Sequence, residues 1–388
     1  MGPSASQQTS AIEAAFIHCP ELERYAYPPG CPFDSSRAGQ VRQAVESMGL
    51  LDGTGHHEVA PRAATRDDLL AFHDAVYLDT LEAATRGHLD VDGLAMGIGT
   101  DDTPVFAGLV EYASLACGAS LKAADLIIDG RANVAFNPSG GYHHARRAEA
   151  AGFCYFNDVV LACLRLAAAG KRVMFIDVDA HHGDGVQEAF YDRSDVLTVS
   201  FHQSGKTLYP GTGFEHETGT GAGEGYAVNV PLPPGVYDGP FLNAFQAIAL
   251  PMLAIFEPDA IVLQLGMDGL AGDPLTAMCL TNNAYAEVIE MVLASRRPVL
   301  AVGGGGYNVP NTVRGWTLAW SILCGADSQH DDMSLGLGGV MLGTTDWASG
   351  LRDRVLAPDQ TQLATVPEAV RKTIHAVQNH VFAFHGLW

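Results

Sequence analysis

Five short apolar runs, separated by helix-like stretches, constrain the fold of this chain more than any other feature. They are "RVMFIDVD" (172–179), "VLTVSFH" (196–202), "YAVNVPL" (226–232), "DAIVLQLG" (259–266) and "RPVLAVGGGG" (297–306). Each is too short for a buried helix and apolar on both of its alternating faces. The segments between them, "GVQEAFYD", "PFLNAFQAIALPMLAIF", "NNAYAEVIEMVLAS" and "VPNTVRGWTLAWSILCG" after the last, read as helices. That alternation predicts an α/β fold, a parallel sheet covered by helices on both faces. Ligands in such sheets bind beyond the carboxyl ends of the strands. Four of the runs end in polar groups: "VDAHHGD", His202, "MDG" and, past the glycines, Tyr307.

The stretch "FIDVDAHHGDG" (175–185) crowds three aspartates and two histidines onto one strand end. Breaking up a buried charge pair costs about 3–5 kcal/mol, so the cluster needs a cation or proton partners. Residues two apart in an extended chain face the same side. Asp177, Asp179 and His181 therefore share a side, and Asp179 and His181 can reach one ion. Asp268, at the end of "LQLGMD", is the natural third donor. Two carboxylates and one imidazole leave room for water and substrate, the pattern of a catalytic metal. The oxygen-rich set suits Zn²⁺ or Fe²⁺.

A second constellation is "SGGYHHARRAEAAGFCYFND" (139–158). Its paired histidines, His143 and His144, follow two glycines. Asp177 and Asp184 remain once Asp179 is given to the metal, and each can hold one histidine by its second ring nitrogen. Two His–Asp dyads beside a metal site make a hydrolytic centre, one base and one electrostatic stabiliser. The third is "GGGGYN" (303–308), whose glycines let Tyr307 reach the site as a donor to a developing oxyanion. The other pair, His56-His57, reads as surface.

The first 140 residues read as mainly helical, with 3.6-type spacing in "SSRAGQVRQAVESMGLL", "TRDDLLAFHDAVYLDTLEAA" and "VFAGLVEYASLACGASLKAADLII". No linker or internal repeat breaks the chain, so a disordered tail (1–12) and one catalytic domain (13–388) are expected. The Gly-rich stretch 201–226 is a loop of functional length without the strand–helix context of a dinucleotide fingerprint. The segment from Val366 onward reads as an amphipathic helix packed on the domain.

Net charge is −22, from 44 acids against 22 Lys and Arg. It argues against direct nucleic-acid binding and favours cationic partners or simple solubility. No run of eighteen uncharged apolar residues is present, so no membrane span is expected. Seven scattered cysteines without C-x-x-C point to a reducing, cytoplasmic setting.

Together "GGYHHARRAEAAGFCYFND", "DVDAHHGDGVQEAF", "VSFH", "YPGTG", "LQLGMDGLAGDPL" and "GGGGYN" resemble the histone deacetylase superfamily, in particular its bacterial acetoin-utilisation-type and lysine-deacylase branch. The resemblance implies the arginase–deacetylase fold, a single mostly parallel eight-stranded sheet flanked by helices. It implies Asp179, His181 and Asp268 as zinc ligands. His144 with Asp184 becomes the general base and acid, His143 with Asp177 the electrostatic partner, and Tyr307 the oxyanion donor. The acyl-lysine tunnel would be walled by Gly152 and Phe153 with Tyr209 opposite and Leu275 nearby, with Gly305 at its floor. A rim aspartate falls at Asp101, beside Asp102. Monovalent-cation sites, for K⁺, would use Asp177, Asp179, His181, Ser200 and Phe201, and separately Phe190, Arg193, Val196 and Tyr226. Arg37 matches the arginine of the family's N-terminal motif. Met267, next to a ligand, is expected to shape the pocket foot.

Three positions depart from the family pattern. Cys31-Pro32 replaces His-Pro, Tyr142 stands where many members carry Trp, and Tyr209 replaces Phe. The added Tyr209 hydroxyl suggests preference for a polar or larger acyl group. The implied activity is zinc-dependent removal of an acyl group from lysine in a peptide or protein; the sequence does not give the oligomeric state. The alternatives are an acetylpolyamine or other small-amine amidohydrolase of the same superfamily, an arginase-type ureohydrolase with two manganese ions, and a non-catalytic acyl-lysine binder. The last would lack Tyr307 or a ligand, and none is missing.

Overall fold

The computed structural model describes residues 13–326 and 350–387; the expected tail, 1–12, lies outside them. Eight strands form one sheet in the order β2-β1-β3-β8-β7-β4-β5-β6. They are β1 (Ala14–Ile17), β2 (His56–Val59), β3 (Val134–Asn137), β4 (Val173–Asp177), β5 (Val196–Gln203), β6 (Ala227–Leu232), β7 (Ala260–Gln264) and β8 (Val299–Val302). Every pairing is parallel. The five apolar runs are β4 to β8.

β4 shows why these runs look apolar throughout. Val173 and Phe175 join one core cluster while Met174 and Ile176 join the other, so both faces are dry. The first cluster lies under α5 (Leu109–Ile128) and α6 (Asp158–Ala168). The second lies under α8 (Asp238–Phe256), α9 (Asn282–Ala294), α10 (Val309–Leu323) and α11 (Gln360–Val381). α11 opens with an Asp359–Gln362 capping box and packs on α8 and β6, as the amphipathic pattern from Val366 predicts. Among the described residues, α8 is long and apolar enough to cross a membrane by length and composition. Here it turns Phe241, Phe245, Ile248, Met252 and Phe256 into the core.

The amino-terminal third differs from the sequence reading. β1, β2 and β3 lie within what reads as a helical region; at four residues each they are too short to impose a period. His56 and His57 belong to the edge strand β2 and are half-buried, not simply surface. The stretch 65–84 splits into α2 (Arg66–Leu70) and α3 (Ala75–Thr85), interrupted just before Asp74. Two short helices, α4 (Val91–Ala95) and α7 (Asp184–Phe190), complete the parts used below, with α1 (Arg37–Ser47) at the start.

Candidate active site

β4, β7 and β8 end side by side, and their carboxyl ends deliver the metal-type donors. Beyond β4, the Val178 N–H still donates to Gln264 O of β7 (3.2 Å), which keeps the chain extended as far as Asp179. Asp179, His181 and Asp268 then bring one ligand atom each to within 4.8 Å of one another. Spare carboxylate oxygens are tied down by backbone donors. The Gly305 N–H donates to Asp179 Oδ2 (2.7 Å), the His181 N–H to Asp179 Oδ1 (2.9 Å) and the Ala180 N–H to Asp268 Oδ1 (2.8 Å). His181 Nδ1 faces Asp268 Oδ2 at 2.8 Å.

This donor set suits a divalent cation. Both carboxylates are almost wholly buried, so their charge calls for a cation or for protons beside it. Burial opposes a charged His181, but Asp268 and Asp179 overcome that and hold it up at about 10. Burial, and then the Asp179 charge, push Asp268 up to about 7, while Asp179 stays ionised beside His143 and His181. A metal that displaces those protons restores the balance.

The histidine pair sits on a turn held from below. Asp158, the first residue of α6, is fully buried. Its carboxylate accepts the Gly141 N–H (3.1 Å), the Tyr142 N–H (2.8 Å) and the Ser120 hydroxyl (2.6 Å). Gly141 has φ +99°, and a Cβ there would press on the Gly303–Gly304 peptide at 2.6 Å, so only glycine fits. His143 Nδ1 then pairs with Asp177 (2.9 Å) and His144 Nδ1 with Asp184 (2.7 Å). The two Nε2 atoms converge 3.1 Å apart. The pairing matches the resemblance, where spacing alone left it open.

The dyads are electrostatically unequal. Burial works against a charged His143, but Asp177 and Asp179 outweigh it and hold the imidazole up at about 9. Burial lowers His144 to about 4, and the neighbouring His143 adds to the effect. His144 is thus neutral and His143 charged near pH 7. Asp177 is pushed up to about 6 by burial, against the pull of His143. Burial also raises Asp184, but His144, His182 and Arg146 together take it below the usual carboxylate range.

A pocket lined by Phe33, Gly152, Phe153, Gly304, Gly305 and Tyr307, among others, encloses these groups. Phe153 sits in the left-handed region at φ +67°, held there by its N–H to Asp102 O (3.1 Å) and by Tyr27 Oη donating to its carbonyl (2.8 Å). Burial, followed by Asp268 and Asp179, pushes the Tyr307 phenol well above its ordinary value, so it remains a hydrogen-bond donor. The Tyr209 ring meets His144 edge-on at 5.1 Å. Its hydroxyl makes no hydrogen bond among the described residues, and at 44 % exposure water can serve it.

Several expectations move. Met267 does not shape the pocket foot: its side chain packs against Gly315 of α10 in the opposite core, because the residue beside a donor points the other way. Asp101 and Asp102 are both exposed, as a rim position requires, and Asp102 O accepts the Phe153 N–H. Leu275 and Tyr209 both stand partly exposed and outside the pocket's lining, Tyr209 over Gly152 and beside His144. Of the cation sets, Asp177 and Ser200 are register partners on β4 and β5 beside the donors. Phe190, Arg193, Val196 and Tyr226 gather at the opposite, amino-terminal end of β5, where Tyr226 O already accepts the Thr198 N–H.

Other functional residues escaped the sequence reading, or lacked a role in it. Arg37 donates to Gly306 O (2.7 Å) and Gly304 O (3.1 Å), pinning the glycine loop that carries Tyr307, and lies over Phe33 and Trp316. Asp273 accepts the Tyr307 N–H (2.8 Å) and Arg146 donates to Asp184 (3.0 Å). Gln264 donates to Gly141 O (3.1 Å); a lone amide inside "IVLQLG" was the available signal.

The profile of the histone deacetylase domain matches residues 31–323. The chain belongs to the histone deacetylase family. It is 38 % identical to the acetoin utilization protein AcuC of Bacillus subtilis over 327 residues, 82 % of this chain and 84 % of that protein. It is equally 38 % identical to the histone deacetylase RPD3 of Saccharomyces cerevisiae over 324 residues, 83 % of this chain and 74 % of that one. A crystal structure of a histone deacetylase homologue complexed with SAHA superposes with a TM-score of 0.81 at 33 % identity, covering 94 % of this chain and all of the other. The homologue from Aquifex aeolicus gives 0.82 at 32 % identity. The sheet is thus the arginase–deacetylase fold that the motifs imply, with all eight strands parallel.

Proposed function

We propose that this family member is a zinc-dependent lysine deacylase, hydrolysing the amide of an acyl-lysine side chain in a peptide or protein. One observation carries the reading: two His–Asp dyads with Nε2 atoms 3.1 Å apart stand beside the Asp179–His181–Asp268 set. The family is zinc-dependent in general, and those three residues would hold the ion. When bound, the metal supplies Lewis acidity to the amide carbonyl and lowers the pKa of a water. Fe²⁺ fits the same donors.

The chain's own groups divide the rest of the work. His144, neutral, takes a proton from the attacking water at Nε2 and returns it to the departing lysine amine. His143, kept charged by Asp177, stabilises negative charge that develops beside it. Tyr307 donates its phenolic hydrogen to the carbonyl oxygen as it becomes an oxyanion. Gly152, Phe153 and Tyr209 guide the acyl-lysine stem. The Asp177–Ser200 neighbourhood and the Phe190–Tyr226 set would take K⁺. The net charge of −22 suits basic acyl-lysine segments and equally acylated small amines, and works against nucleic acid.

The test is turnover of acyl-lysine peptides and acetylated polyamines by zinc-loaded protein. Tyr307→Phe should lower kcat by about 10²–10³-fold with zinc retained. Turnover of polyamines alone moves the function to small-amine metabolism. Peptide binding without turnover on either substrate refutes the enzyme reading.

A further inference from the structure

The segment 204–226 carries Tyr209, whose ring stands over Gly152 and beside His144, yet its only regular structure is the 3₁₀ turn Gly221–Gly223. Ordering a loop of this length costs conformational entropy that contacts must offset. Glu217 fixes its first half. The Glu217 carboxylate accepts the Gly213 N–H (3.1 Å), the Phe214 N–H (3.0 Å) and the Gln187 amide (2.9 Å). Hydrogen bonds to an ionised acceptor are the strong ones. Gln187, on α7, in turn accepts from Asn229 of β6 (2.6 Å) and faces His182 Nε2 (3.3 Å). His202 of β5 donates to Gly213 O (2.9 Å).

His182 is the second histidine of "AHHGDG", buried and absent from the donor set. Its other ring nitrogen meets Thr212 Oγ1 at 2.9 Å. His182 therefore joins the loop to the turn that carries His181. The backbone at Gly213, φ +83°, suits glycine, and a Cβ there would press on the His182 ring at 2.6 Å. All these anchors lie between Thr212 and Glu217, just behind the Tyr209–Gly211 tip. Tyr209 has no hydrogen bond of its own within the described residues; its place is set by Leu208, whose N–H donates to Ser204 O (3.1 Å), on one side and by these anchors on the other.

We infer that Glu217 is a positioning residue of the tunnel: through Gly213, Phe214 and the Gln187–His182 pair it sets the distance of Tyr209 from Gly152 and His144, and with it the discrimination between short and long acyl chains. This rests on the deacylase reading above. Glu217 touches neither acyl path nor metal donors, so its effect is on selectivity.

The experiment compares Glu217→Ala and Glu217→Gln with wild type in the full chain. It measures kcat/KM on acetyl-, butyryl- and hexanoyl-lysine peptides, amide hydrogen exchange over 204–214 with and without zinc, and zinc affinity by chelator competition. Glu217→Ala should raise the hexanoyl-to-acetyl ratio about tenfold, the scale that methylenes command in an apolar pocket. Exchange at Gly213 and Phe214 should quicken, zinc affinity should hold, and Glu217→Gln should fall between. Unchanged exchange overturns the latch, and faster exchange with an unchanged ratio overturns the selectivity. If Glu217→Ala does not fold, Thr212→Val must shift both readouts in the same direction; no shift there refutes the inference. A wild type that turns over no acyl-lysine peptide defeats the deacylase reading and the selectivity with it, while the exchange arm still decides the latch.

Discussion

Asp158 offers a direct test of whether the histidine pair is held from beneath. It is fully buried, and its carboxylate is the common acceptor of the Gly141 N–H, the Tyr142 N–H and the Ser120 hydroxyl. Asp158→Ala leaves these three donors without a partner, at about 1–2 kcal/mol each. Relief of the buried charge returns part of that, so the net loss should be about 2–4 kcal/mol. At about 1–2 °C per kcal/mol for a domain of this size, Tm should fall by about 2–8 °C. Asp158→Asn is the control. Its amide oxygen can still accept both backbone N–H groups, and Ser120 Oγ can accept from its nitrogen, so the loss should stay near 1 kcal/mol. Because Tyr142 immediately precedes His143, Asp158→Ala should also lower kcat about 100-fold with little change in KM, as a displaced catalytic group does. Urea unfolding and steady-state kinetics on both variants check it. An alanine variant within about 1 kcal/mol of wild type, or one equal to the asparagine variant in kcat, would refute the reasoning.

Further predictions address other parts of the fold. His73 is buried, accepts the Asn157 N–H at Nε2 and faces Arg147 O with Nδ1; burial lowers it to about 4 from 6.5. Its folded pKa lies below the unfolded one, so its contribution is complete above about pH 6.5 and is lost as pH falls toward 4. About 2 kcal/mol should go between pH 7 and 5, and His73→Gln should flatten that part of the urea–pH profile. Zinc should raise the Tm of wild type in proportion to RT ln(1 + [Zn]/Kd), and Asp268→Asn should abolish the shift in differential scanning fluorimetry. Arg37→Ala should free the Gly304–Gly306 loop and lower kcat with zinc affinity intact. Arg37→Lys should rescue poorly, since one ammonium cannot match a planar fork reaching two carbonyls; full rescue in a kinetic assay would count against that geometry.

The carboxyl-terminal half of the sheet was legible because β4 to β8 are apolar on both faces and end in chemistry. β1, β2 and β3 were not, since four residues cannot show a period and their neighbours in the sheet are distant in sequence: Ala14 pairs with Val134 and Val134 with Val299. The donors Asp179, His181 and Asp268 were legible by type and by their place at strand ends. Their supports were not. Asp158 and Asp273 look like ordinary polar residues, and Arg37 carries a motif match without a role, until long-range folding sets a backbone turn against each. Met267 failed for a local reason, since adjacency to a ligand says nothing about side-chain direction when alternate residues face opposite cores.

The two dyads illustrate the same limit at the level of charge. As residue types they are identical, one histidine and one aspartate each, and sequence alone gives no reason for one to stay protonated and the other to stay neutral. The difference is positional. His143 Nδ1 meets Asp177 at 2.9 Å and its Nε2 lies 3.9 Å from Asp179, so two carboxylates favour its charged form. His144 has Asp184 alone, and Arg146 shares that carboxylate at 3.0 Å while His143 stands beside it. With Asp179 committed to a metal, Asp177 remains to keep His143 charged; burial first, and then that charge, keep His144 neutral. The base is therefore tuned in part by its neighbour: replacing Asp177 by Asn should act on His144 through His143, raising the pH at which the acidic limb of kcat/KM falls.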